Sequence, residues 1–155
     1  MCGVCILLQP LLHIIRVFTN NNHGDNMQKF KKNAVFFIAG GLGYGAIELL
    51  WRGRTHWAML VAGGICFVMF SHIAEKFKYR SLVFKAFLCA VGITAVEIVF
   101  GIVFNIILKE NIWDYSGIPL NLYGQICPLY TVLWGLLSLV FIPVAERLNK
   151  SLNKK

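Results

Sequence analysis

The chain has 155 residues, 57% of them hydrophobic and 14% charged, with a formal net charge of +8 and a mean hydropathy of +0.65. A single domain of this size cannot hide so much apolar surface from water, which excludes an ordinary soluble domain and points to a membrane protein. The charge does not point to nucleic acid: the basic residues lie in short segments between apolar runs, where they set topology and meet anionic headgroups.

Residues 1–33 are an N-terminal extension. Its apolar run, "CILLQPLLHIIRVF", is too short to span and is interrupted by Pro10. No small-residue cleavage site follows it, so a signal peptide is disfavoured. Two readings stay open: an interfacial helix, or a segment upstream of a true start at Met27, which would make residues 1–26 dispensable. Cys2-Gly-Val-Cys5 is a C-x-x-C without a partner pair, and no metal or cofactor is expected from it.

Span 1 is placed at Ala34–Trp51, "AVFFIAGGLGYGAIELLW". Gly41-x-Gly43-x-x-Ala46 has the layout of a dinucleotide fingerprint, but such a site wants an acid about 20 residues further on. That region is "LVAGGICFVMF", with no acid. Gly41 and Gly45 instead form a small-x-x-x-small seam, which lets helices approach closely in lipid. No Walker motif occurs. The next connection, "WRGRTHW", packs Arg52, Arg54 and His56 together.

Span 2 is placed at Trp57–Ser71 and is short. After a basic connection, span 3 is placed at Val83–Leu108, with Ala90, Thr94, Glu97, Gly101 and Asn105 on one helical face. The connection "ENIWDYSGIPLNLYGQICP" carries Trp113, Asp114, Tyr115, Asn121 and Gln125 and is expected to fold back over the bundle. Span 4 is placed at Ile126–Ile142, so the membrane domain covers 34–142 and a basic tail 143–155.

Lys and Arg are distributed unevenly. Twelve lie in the N-terminal segment, the middle connection and the tail, and three (Arg52, Arg54, Lys109) in the other two connections. This predicts both termini inside and His56 and Asp114 outside. Trp51, Trp57 and Trp113 then fall at the outer interface.

The chain also reads as a duplication. "GYGAIELLW" (Gly43–Trp51) lies over "GITAVEIVF" (Gly92–Phe100), matching Glu48 to Glu97, and "GGIC" (Gly63–Cys66) lies over "GQIC" (Gly124–Cys127). Two hairpins entering from the same side predict a pseudo-two-fold axis along the membrane normal.

A carboxylate inside a span is costly and must face protein or water with a partner. Glu48 is one turn from Arg52, so its plain reading is a structural ion pair. Glu97 has no cation within sequence reach. Its plain reading is a neutral buried carboxyl, and its functional reading is a site for a cation or proton. For the outer connections the plain reading is anchoring at the interface by Trp, Tyr and Arg. Glu48, Glu97, Arg54, His56, Trp113, Asp114, Asn121 and Gln125 make up the candidate substrate or ion site. No catalytic triad or zinc spacing is evident, so no enzyme is expected.

Glu48, then Arg54-x-His56-Trp57, Gly63-Gly64-Ile65-Cys66-Phe67, Glu97, Trp113-Asp114-Tyr115-Ser116 and Pro119-x-Asn121-x-x-Gly124-Gln125-Ile126-Cys127 together resemble the CmpB-like, ABC-transporter type IV family of small bacterial membrane proteins. The likeness covers roughly 34–142. It implies a transport-associated permease served by a separate ATPase subunit, in the bacterial plasma membrane.

The expected architecture is an all-α integral membrane four-helix bundle of two duplicated hairpins, embedded in the lipid bilayer and assembled as a homo-oligomer. The expected function is a small permease or permease subunit. The alternative is a non-transporting scaffold or sensor that binds a partner or lipid through its outer loops. A third reading, weaker, is a membrane enzyme using Glu97 with Asp114 or His56.

Overall fold

In lipid a backbone must satisfy its own hydrogen bonds, so apolar runs of about 20 residues become helices. The computed structural model describes residues 4–153 in backbone and 26–153 in side-chain surroundings. Helix α1 is Val4–Arg52, α2 is Trp57–Lys76, α3 is Leu82–Phe100 and α4 is Pro128–Leu152. A π-helical segment, Gly101–Ile107, extends α3. There is no strand among the described residues, only an isolated bridge between Leu122 and Ile126. The chain is all-α, and its helices supply four stretches long and apolar enough to span: Asn26–Arg52, Trp57–Lys76, Leu82–Ile107 and Pro128–Leu152. Residues 1–35 form a unit separate from 36–155, and every contact below lies in the second unit. The expectations for Cys2, Cys5 and an interfacial face on the extension concern side chains outside the described residues.

The outward faces have the chemistry of a membrane protein. Between 17% and 44% of each candidate span is buried inside the bundle, and Leu50 and Trp51 are 89% and 83% exposed. Apolar surface on that scale belongs in lipid.

Small residues let the helices close on one another. A Cβ added to Gly40 would lie 2.6 Å from the Gly63 carbonyl, and one on Gly41 2.7 Å from the Leu60 carbonyl. Gly41 of the apparent fingerprint and its neighbour Gly40 thus bring α1 and α2 into backbone contact, whereas a Cβ at Gly43 would meet nothing. In the second hairpin, Thr94 and Thr131 share a hydrogen bond of 3.0 Å, and Gly135 faces Ala90. Phe36, Phe67, Phe70, Cys89, Ile93 and Ile142 fill the core between the helices.

The end of the bundle with the α2–α3 connection is closed by polar pairs. Ser71 Oγ donates to Asn149 Oδ1 at 2.8 Å. Lys85 Nζ donates to Glu146 Oε1 at 2.6 Å. The Lys and Arg count takes Lys85 with the middle connection, but Ser81 caps α3 by accepting from the Phe84 N–H, which puts Lys85 in the first turn of the helix, 5% exposed. Span 2 is longer than expected, because the polar "HIAEK" continues the helix to Lys76. Span 4 begins later, at Pro128, a residue suited to the first turn because it has no N–H to satisfy. Both members of the match between Gly43–Trp51 and Gly92–Phe100 are helical. The "GGIC" and "GQIC" segments differ: the first lies in α2, the second in the connection before α4.

Candidate functional site

The opposite end carries the α1–α2 and α3–α4 connections, and the longer one folds back into the bundle as its sequence suggested. Its shape is pinned. Lys109, Asn111, Leu120 and Tyr123 all adopt positive φ, a conformation that persists in non-glycine residues only where surrounding bonds enforce it. Those bonds centre on Asn105 of the π-helical segment, 8% exposed. Its Nδ2 donates to the Trp113 carbonyl at 2.9 Å and to Gln125 Oε1 at 2.8 Å, and its Oδ1 accepts the Ile112 N–H at 2.7 Å. A Cβ on Gly101 would lie 2.5 Å from Gln125 Oε1, so glycine makes room there for the returning chain.

The candidate residues have different roles. Glu48 is a structural anchor: Arg52 donates to its Oε1 at 2.5 Å and Thr55 to its Oε2 at 2.7 Å. Arg52 also donates to the Ile112 carbonyl at 3.1 Å, tying α1 to the long connection. Arg54 is exposed beside Gly53, which has φ +68. His56 caps α2, its Nδ1 accepting from the Ala58 N–H at 3.3 Å. That leaves the ring proton on Nε2, which faces Glu110 Oε2 at 3.5 Å. Asn121 laces the connection by donating to the Ser116 and Ile118 carbonyls and accepting from the Gly124 N–H. Trp113 is buried and donates its indole N–H to the Gln125 carbonyl at 3.0 Å.

Asp114 is exposed and builds a turn, its carboxylate accepting from the Ser116 N–H at 2.8 Å and the Ser116 hydroxyl at 2.9 Å. Those two bonds hold its carboxyl below the ordinary aspartate range. The carboxyl therefore titrates lower in the folded than in the unfolded chain. Its contribution is present above about pH 4 and is lost as pH falls through the lower folded value. Protection of the 114–124 amides, corrected for the intrinsic exchange rate at each pH, should fall below about pH 4 in the wild type, and Asp114→Asn should remove that step.

Glu97 is the exception among the carboxylates of the spanning helices. It is 8% exposed, and Tyr115 reaches from the connection to donate to its Oε1 at 3.0 Å. Burial first, then the carboxylate itself, push the Tyr115 phenol well above its ordinary range, so it remains a donor. Oε2 makes no hydrogen bond of regular geometry, and the Trp134 indole, likewise buried without one, is the donor beside the carboxylate. Glu48 has Arg52 and Glu146 has Lys85, but no ion pair forms at Glu97 among the described residues. Among the described residues, no hydrogen bond or ion pair joins Asp114 or His56 to Glu97.

Glu97 lines a partly open, almost wholly apolar cavity of about 110 Å³ between the four helices. Tyr44, Phe100, Trp113 and Trp134 line it as well. Tyr115 stacks on Tyr130 at 4.4 Å, and Trp134 lies 6.2 Å from both Tyr130 and Tyr44. Asn105, Tyr115, Tyr44 and Trp134 were not singled out as site residues in the sequence. Asn105 was recoverable from its place on the Glu97 face. The aromatic residues carried no signal beyond composition.

A family model described as Putative ABC-transporter type IV matches residues 34–155. No curated protein and no solved structure matches the chain. The match covers most of the sequence, and the chain belongs to this family, consistent with the resemblance carried by its motifs.

Proposed function

We propose that this member of the ABC-transporter type IV family is a small permease or permease subunit whose ligand enters the cavity at Glu97. One observation carries the reading: a buried carboxylate that has no cationic partner among the described residues, in a cavity between spanning helices. Ionisable groups are kept inside a bilayer at substantial cost, and they mark ligand and ion paths. The chain acts without catalysis in this reading. The family name supports a separate ATPase partner, and the small buried share of each helix supports a homo-oligomer. The test is affinity purification of the full chain from its native membrane, together with flux in proteoliposomes. Either a co-purifying ATPase or flux by the chain alone supports the proposal. Absence of both overturns it and favours the scaffold reading, for which the exposed Leu120 and Tyr123 on the pinned connection speak.

The Lys and Arg asymmetry supports placement in the bacterial plasma membrane with both termini inside. In an otherwise cysteine-free chain, cysteines at 56 and 114 should react with an impermeant maleimide from outside intact cells. Labelling only after permeabilisation would invert the topology.

A further inference from the structure

We infer that the cavity at Glu97 binds an organic cation of trimethylammonium size, held by the carboxylate and by the aromatic faces of the cavity wall. The inference deepens the proposed function and rests on that reading for the cavity's being a site.

Charge is the first ground. A buried carboxylate needs a partner. The chain supplies a cation to Glu48 and one to Glu146, whereas Glu97 has only neutral neighbours, the Tyr115 phenol and the Trp134 indole. A ligand's positive charge would complete the site. The wall is the second ground. Apart from Glu97 and the sulfur atoms of Met59 and Cys66 it is aromatic and aliphatic, with Tyr44, Phe100, Trp113 and Trp134 among its lining residues. An inorganic cation needs a shell of oxygen ligands, and this wall offers almost none. A quaternary or alkylated ammonium needs no such shell and is attracted to ring faces. Size is the third ground. An apolar cavity of about 150 Å³ admits benzene; a trimethylammonium head is about as bulky, so it would fill the cavity of about 110 Å³ and extend through its open side, where the tail would also lie.

The test is calorimetric titration of the full chain in lipid nanodiscs with choline and with 3,3-dimethylbutan-1-ol, its uncharged carbon isostere. Choline should bind saturably, on the order of tenfold tighter than the isostere. Glu97→Gln should abolish that preference, and Trp134→Leu should weaken choline about fivefold while affecting the isostere less. Equal binding of both probes to the wild type, or no saturable binding of choline, overturns the inference and leaves an apolar cavity only. So does an unchanged preference in a folded Glu97→Gln protein. The wild-type probe pair decides the matter even where a variant fails to fold. Choline binding without flux or an ATPase partner would leave the inference standing and remove the transport reading. Flux or an ATPase partner with equal probe affinities would do the reverse.

Discussion

Glu97→Gln is expected to leave the bundle assembled and to reduce transport to the level of empty vesicles. The amide keeps the side-chain shape, and its oxygen can still accept the Tyr115 hydroxyl, now 3.0 Å from Oε1. Loss of a charged acceptor in favour of a neutral one costs about 1 kcal/mol or less, a shift of a few degrees in a detergent-solubilised melt. Function is different, because the negative charge available to a cation or proton is gone. Glu48→Gln should show the opposite pattern. Arg52 and Thr55 both point at Glu48, and removing one charge leaves the other uncompensated. The Arg52 side chain is 27% exposed, so the loss should be about 2 kcal/mol, below the range for a fully buried pair. Transport per folded molecule should survive. The measurement is therefore a pair for each variant, melting and vesicle flux. A stable, active Glu97→Gln protein would remove the main reason for treating the membrane interior as the site.

The helices were legible because their signal is length and apolarity, which the bilayer imposes on any spanning sequence. The positions of the ends were less so. Lys85 reads as a loop cation until its pairing with Glu146 at 2.6 Å is known, and that pairing joins residues 61 apart in the chain. Glycine spacing gave the helix contact but could not say which partner each face would meet. At the site, a carboxylate inside an apolar run announces itself by its cost, so Glu48 and Glu97 were found together. Their difference was only half visible. Arg52 lies one turn from Glu48 and could be counted as its partner. The aromatic wall of the Glu97 cavity is assembled from all four helices and the returning connection, and no local pattern encodes that convergence. Asp114, Asn121 and Gln125 belong to the candidate site because they are polar and lie outside the spans. The structure uses their polarity to fold the connection itself.

The largest stability loss among single substitutions of that connection's supports is expected at Asn105, which sits in the π-helical segment rather than in the connection. Its amide has one orientation compatible with its surroundings: Oδ1 toward the Ile112 N–H, Nδ2 toward the Trp113 carbonyl and Gln125 Oε1. Asn105→Leu keeps apolar volume but strands all three of those groups in a buried place. At about 1–3 kcal/mol for each unsatisfied group, with partial relaxation, the loss should be about 3–5 kcal/mol. Asn105→Asp is the more telling change. It retains an acceptor for Ile112 but turns a second oxygen toward two existing acceptor oxygens, so it should destabilise at least as much as Leu. Because the anchored segment also carries Tyr115 and Trp113, its release should withdraw the Glu97 hydrogen bond and open one wall of the cavity. Limited proteolysis should then cut within 109–127 in both variants under conditions that leave the wild type intact, with a lowered melting temperature alongside. An Asn105→Asp protein as resistant and as stable as the wild type would show that the connection is held by its own turns, and that the π-helical segment does not anchor it.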